Sequence, residues 1–208
     1  MKALLKRYII TFVAGIVVFA IGKLLFLFLN GSVYQHISVA EVFRILYHGF
    51  SRDCTLAAYV AALPSLAWCV ALWTGSKGAL DTVMRIYFAL IAMALSLCIG
   101  LDAVLYGYWQ FKLDITPFSY FFSSPSAAFA SAVWWQILLG VLGWIVLSVA
   151  IYWLYVWGVL KLGGMITRVY PLGKRIWCTV GGVLLTALLF VPIRGGFTVS
   201  TMNLSRAY

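Results

Sequence analysis

An all-α membrane protein with five transmembrane helices is predicted by three features of this chain. Of its 208 residues, 64% are hydrophobic and only 10% charged, a balance outside the range of soluble domains. The apolar residues gather into five runs, each long enough for a helix to cross about 30 Å of hydrocarbon at about 1.5 Å per residue. The 15 basic residues outnumber 5 acidic ones and sit mainly between those runs. The net charge of +10 therefore reads as membrane orientation and not as a nucleic-acid footprint. Residues 1–208 form one transmembrane domain on this reading, with no nucleic-acid partner.

The first span is expected over 8–29. Lys2, Lys6 and Arg7 precede it as they would in a signal peptide, but the run is too long and no A-x-A cleavage site follows, so it reads as a retained anchor. The other spans are expected over 55–74, 84–106, 132–157 and 176–193. Ser124 followed by Pro125 has the character of an N-cap and first-turn proline, which would start the fourth helix well before Trp134 and make it tilt or break. Cys54, Cys69, Cys98 and Cys178 are scattered singly, without zinc spacing, and read as small buried hydrophobes.

Orientation follows from the basic residues. Lys2, Lys6, Arg7, Lys77, Arg85, Lys161, Arg168, Lys174 and Arg175 lie on one side of a five-span chain, while Arg44, Arg52, Lys112, Arg194 and Arg206 lie on the other, and Lys23 falls inside the first span. The richer side is cytoplasmic by the positive-inside rule, so the amino terminus is expected inside and the carboxyl terminus outside.

Both outer loops carry structure of their own. In the first, Ser38-Val39-Ala40-Glu41 spells a capping box, and Val39, Val42, Phe43, Leu46 and Phe50 recur at helical spacing. A short amphipathic helix lying on the membrane surface is expected there, stopped by Gly49. The second outer loop crowds Tyr108, Trp109, Phe111, Phe118, Tyr120, Phe121 and Phe122 around Lys112 and Asp114, a composition suited to a headgroup interface.

No complete catalytic constellation is present. His36 and His48 lack a third ligand, no G-x-S-x-G, Walker or G-x-G-x-x-G sequence occurs, and Thr198, Ser200, Thr201 and Ser205 lack a base. What stands out is a set of ionisable residues at the outer rim: Arg52 and Asp53 before span two, Asp102 near the end of span three, and Arg194 after span five. Tyr106, Tyr108, Trp109 and Lys112 belong to the same rim. These eight residues are candidates for a lipid headgroup site or for structural pairing. Asp102 lies about 27 Å along its helix from Met84, and Arg194 the same from Ile176, so the two are expected to pair.

Three ordered segments carry a resemblance. His48-Gly49-Phe50-Ser51-Arg52-Asp53 leads to Ala58-Tyr59 and Leu63-Pro64. Gly100-Leu101-Asp102-Ala103 is followed by Tyr106, Tyr108-Trp109, Lys112-Leu113-Asp114 and Thr116-Pro117-Phe118. Pro192-Ile193-Arg194-Gly195-Gly196 is followed by Asn203 and Ala207-Tyr208. Together they resemble the membrane region of the lipoteichoic acid synthase-like, sulfatase-like phosphotransferases of the alkaline phosphatase superfamily. The resemblance implies a bacterial cytoplasmic membrane protein, an anchor and lipid-approach domain for an extracytoplasmic catalytic domain that these residues do not include. That domain would supply a Thr nucleophile and a divalent metal, manganese, magnesium or zinc, to move phosphoglycerol or phosphoethanolamine groups. The implied partners are membrane lipids and that domain. The alternative is a self-contained small membrane protein, such as a transporter subunit or assembly factor, which five spans with charges at one rim fit less well.

Overall fold

The computed structural model describes residues 2–34, 37–74, 77–124, 133–163 and 170–194. Their order is α1 (Lys2–Leu29), α2 (Val39–Thr74), α3 (Lys77–Trp109), α4 (Thr116–Ser123), α5 (Trp134–Tyr155) running into a π-helical segment (Val156–Leu162), α6 (Leu172–Leu188) and α7 (Phe190–Arg194). No strand occurs among the described residues. Five helical stretches are long and apolar enough to cross a membrane: Lys2–Leu29, Val39–Thr74, Ala79–Trp109, Trp134–Leu162 and Leu172–Arg194. This is the multi-pass helical architecture that the composition dictates.

The helices pack in a folded row. α2 lies along α1 and takes α6 and α7 on its other flank, while α3 joins α1 to α5. Gly15 sets the closest approach of α1 to α2, since a Cβ there would stand 2.7 Å from the Ala57 Cβ. Small residues at such crossings replace the hydrophobic drive that lipid surroundings remove. Phe88 and Tyr155 stack at 5.0 Å in the interior, with Trp68, Met84 and Val159 fully buried in the same core. Side-chain hydrogen bonds tie helix to helix: Ser96 to Ser148 at 2.6 Å, the Trp144 indole N–H to the Met93 carbonyl at 3.0 Å, and the Trp73 indole N–H to Thr179 Oγ1 at 2.9 Å. At the amino-terminal end of the bundle, buried Arg7 meets Asp81 at 3.2 Å.

Pro64 and Pro192 both disturb the helical bonding around them, and near each a neighbouring tyrosine takes up a freed carbonyl. Pro64 has no N–H to give the Val60 carbonyl one turn earlier, and Tyr87 of α3 donates its hydroxyl there at 2.8 Å. Pro192 crowds the carbonyl four residues before it, and the helix breaks at Leu189, whose N–H turns to the Thr186 carbonyl at 3.1 Å. The Leu185 carbonyl is thereby released, and the Tyr8 hydroxyl donates to it.

Several expectations change. The amphipathic segment in the first outer loop is helical but is no separate helix: α2 runs unbroken from Val39 through Gly49 and Pro64 to Thr74. Its capping box forms as expected, with the Ser38 N–H donating to Glu41 Oε2 at 2.7 Å and the Glu41 N–H to Ser38 Oγ at 3.3 Å. Ser124 ends α4, its N–H donating to the Tyr120 carbonyl at 2.9 Å, and the early start of the fourth helix expected at Ser124-Pro125 falls on residues 125–132, outside the described residues. Within its described residues the fourth span is irregular in the π-helical turns after Tyr155, where Gly158 faces Ile10 and Gly163 faces Arg7. Cys69 and Cys178 are buried, Cys54 partly so, and Cys98 is exposed.

Candidate functional site

The charged rim residues occupy two tiers at the far end of the bundle, opposite the amino terminus. The deeper tier is built on α1, α2 and α7. Lys23 reaches Asp53 at 2.5 Å, and the carboxylate is almost wholly buried. The ammonium passes the backbone of Gly49, where any Cβ would stand 2.2 Å from Lys23 Nζ. Gly49 is therefore a gap for a side chain and not a helix stop. Arg52 precedes Asp53 and is exposed. Thr55 Oγ1 donates to the Pro192 carbonyl at 2.7 Å, and Leu189 packs on Ala58 and Ala61, which docks α7 on the same stretch of α2. Arg194 ends α7, exposed, two residues past that bond.

The upper tier closes the end of α3. Gln110 has φ 60°, the left-handed conformation that stops α3 while its N–H still reaches the Tyr106 carbonyl at 2.9 Å. The chain then doubles back, so that Asp102 accepts the Leu113 N–H at 2.9 Å and the Lys112 ammonium at 3.0 Å. That ammonium also stands 3.2 Å from the centroid of the Phe26 ring and 5.7 Å from that of Tyr106. Tyr34 and Tyr106 share a hydrogen bond at 2.9 Å, and burial together with that bond pushes the Tyr34 hydroxyl up to about 12. Asn30 bridges α1 and α3, donating to the Phe26 carbonyl at 3.0 Å and the Ala103 carbonyl at 2.8 Å. Trp109 stacks with Phe111 at 5.4 Å, and Tyr108 is exposed, accepting from Gln136 at 3.5 Å. Asp114 accepts from the Thr116 N–H at 2.8 Å and starts α4, which exposes Tyr120, Phe121 and Phe122.

The eight candidates thus divide. Asp102, Tyr106, Tyr108, Trp109 and Lys112 share the upper tier, while Arg52, Asp53 and Arg194 share the deeper one. No Asp102–Arg194 pair forms. Equal distances along two helices bring charges to one level only if the helices start at one level, and the height of α6 and α7 is set by their packing on α2 and by the Tyr8 bond to Leu185. Asp102 is instead taken by Lys112, ten residues along the chain, where little loop entropy opposes contact. His48 is exposed on α2, and His36, Thr198, Ser200, Thr201 and Ser205 lie outside the described residues.

Sequence reasoning missed Lys23, Phe26, Asn30 and Tyr34. For Lys23 the signal was present, because a lone cation inside an apolar run must find a partner. The other three carry no such mark: an Asn or Tyr just after a span looks like ordinary interface.

Among the described residues, no group of three or more His, Cys, Asp or Glu side chains could hold a metal ion. The arrangement can attract anions and order an interface. A groove of about 290 Å³ between α3 and α5, lined by Met93, Trp144, Ser148 and Tyr152 among others, lies away from the rim charges. Its Ser148 hydroxyl and Trp144 N–H are already hydrogen-bonded. Searches with this chain find no matching family model, no matching curated protein and no matching solved structure. The class that fold and rim define is a five-span helical membrane protein.

Proposed function

We propose that this chain is the membrane anchor and lipid-approach domain of a sulfatase-like phosphoglycerol or phosphoethanolamine transferase, working at the outer face of a bacterial cytoplasmic membrane. The observation that carries the reading is the reversal after α3. By holding both Lys112 and the Leu113 N–H, Asp102 turns the chain back over the bundle and presents α4 with its exposed aromatics. An eight-residue aromatic helix beside a lysine suits the headgroup layer, where rings and ammonium groups are both favoured. The positive-inside count puts this end outside. The ordered motifs of the resemblance converge here: the segments around Asp53, Asp102 and Arg194 all contribute to the two tiers. Catalysis and the divalent metal then belong to an extracytoplasmic domain, for which this bundle is the lipid-facing partner.

The reading is tested by photolabelling. The protein is reconstituted in phosphatidylcholine vesicles containing a phosphatidylglycerol analogue with a diazirine in its headgroup, or one with the diazirine at its acyl terminus. Labelling of residues 116–123 by the headgroup probe in preference to the acyl probe is expected. Labelling of that segment by neither, or by the acyl probe alone, would remove the interfacial role and the function built on it.

A further inference from the structure

The upper tier holds a cation against aromatic rings. Lys112 Nζ lies over the face of Phe26, 3.2 Å from the ring centroid, and 5.7 Å from the centroid of Tyr106. Phe26 and Tyr106 meet edge to face at 4.8 Å, and Tyr34 backs Tyr106 in a stack at 6.2 Å. Asp102 Oδ2 completes the arrangement, 3.0 Å from the ammonium. Ring faces offer a cation their negative quadrupole, and a carboxylate adds a charge and a hydrogen-bond acceptor. These are the parts of an ammonium cage.

The walls of the cage stand without the lysine. Asn30 ties the end of α1 to α3 by donating to the Phe26 and Ala103 carbonyls, and the Tyr34–Tyr106 hydroxyl bond at 2.9 Å fixes the second ring. Asp102 divides its two oxygens: Oδ1 accepts the Leu113 N–H at 2.9 Å and holds the reversal, while Oδ2 takes the cation. Lys112 is the least enclosed member, its side chain 56% accessible, whereas that of Asp102 is 26% accessible and Phe26 is buried. An ion pair so exposed is weak, and a lysine leaving it regains water. The ammonium is therefore the part that can exchange while the rest stays in place.

Geometry limits which cation can replace it. A nitrogen 3.2 Å from a ring centroid has room only for hydrogens on that side. The methyl groups of a choline would hold its nitrogen farther off, and it has no N–H to give Oδ2. The CH2–NH3+ end of lysine is, by contrast, the same group that ends an ethanolamine. Phe26 lies three residues before the end of α1, about 4.5 Å, so the cage opens at the helix ends. We infer that Phe26, Tyr106 and Asp102 form a binding site for a primary ammonium, of the kind borne by the headgroup of phosphatidylethanolamine, and that Lys112 fills it as a tethered competitor. This rests on the proposed placement of the reversal in the headgroup layer, and it names a headgroup chemistry that the layer supplies.

The full chain in nanodiscs of phosphatidylcholine doped with equal phosphatidylethanolamine and phosphatidylglycerol, analysed by native mass spectrometry after release, gives the test. Lys112→Ala removes the competitor, and retention of phosphatidylethanolamine relative to phosphatidylcholine is expected to rise about fivefold, the strength of an exposed ion pair. Retention of phosphatidylglycerol, which carries no ammonium, does not rise with it. Adding Asp102→Asn to that variant abolishes the gain, although asparagine can still accept the Leu113 N–H, and adding Tyr106→Leu abolishes it as well. Glu41→Gln, at an exposed acid whose capping role glutamine preserves, leaves the wild-type ratio unchanged. Should the Asp102 and Tyr106 variants fail to fold by size exclusion, the wild-type chain gives a second reading. Acylation of Lys112, measured against exposed Lys174, then quickens when phosphatidylethanolamine is added and not when phosphatidylcholine is. Free ethanolamine, titrated in, assigns the source: displacement of the lipid means that the site accepts any primary ammonium, and persistence means that it also grips the rest of the headgroup. A ratio unmoved by Lys112→Ala, or a gain that survives Asp102→Asn, overturns the site. If α4 is still labelled by the headgroup probe in that case, the lipid-approach reading survives without it.

Discussion

The Tyr87 hydroxyl stands 2.8 Å from the Val60 carbonyl, the one backbone acceptor that Pro64 deprives of its helical donor. A proline in the middle of a spanning helix is tolerated where a neighbouring helix restores the missing bond. Tyr87→Phe is expected to destabilise the bundle by about 1 kcal/mol, the usual size of such bonds in membranes. Thermal unfolding in detergent measures it. Pro64→Ala returns an N–H to Val60, so Tyr87→Phe costs less in that background. Equal costs in the two backgrounds would show that the hydroxyl does not compensate for the proline.

Lys23 and Asp53 form a partly buried pair at 2.5 Å, and the sequence marks only one of them as intramembrane. Asp53→Asn or Lys23→Met strands the partner at a cost of about 3 kcal/mol. The double change Lys23→Met with Asp53→Leu is expected to be milder than the sum of the single changes. Gly49→Leu, which fills the path of the ammonium, is expected to act like loss of Lys23. A melting temperature unchanged by Gly49→Leu would mean that the lysine has another route.

Gln110 holds a left-handed backbone conformation at φ 60°. A residue with a Cβ is strained there and glycine is not, so Gln110→Gly is expected to stabilise the reversal by about 1 kcal/mol. Hydrogen exchange of the Leu113 N–H, which Asp102 accepts, reports it locally. Faster exchange in the variant would contradict the strain.

Lys112 and Asp102 are partly exposed, with the lysine side chain 56% accessible. Their pair is expected to contribute less than about 1 kcal/mol and to weaken with salt. Asp102→Asn should cost more than Lys112→Gln, because the aspartate also holds the Leu113 N–H. Asp102→Asn and Arg194→Gln should add independently, and coupling between them in a double-mutant cycle would reinstate the pair that the geometry lacks.

Orientation is read by impermeant thiol reagents on a cysteine-free background. Buried Cys178 is unsuited, since burial blocks it from either side. Ser119→Cys in α4 is expected to label in intact cells and exposed Lys174→Cys only after lysis. The opposite pattern would invert the membrane placement.

Composition and periodicity alone determined the helical class, the five spans and the capping box at Ser38 and Glu41, because each depends on residues close in sequence and on the length of helix that crosses hydrocarbon. They also singled out Arg52, Asp53, Asp102 and Lys112 as rim charges, since few ionisable residues occur near apolar runs. Which charge meets which was decided only by tertiary structure. Asp102 takes Lys112 because Gln110 turns the chain back, and Asp53 takes Lys23 because Gly49 lets the lysine through. Arg194 goes to the level of Arg52 because Pro192 breaks its helix and the Pro192 carbonyl docks on Thr55. The relative height of two helices is a property of their packed interface, set by small residues such as Gly15 and Ala57, and residue counts along each helix do not contain it.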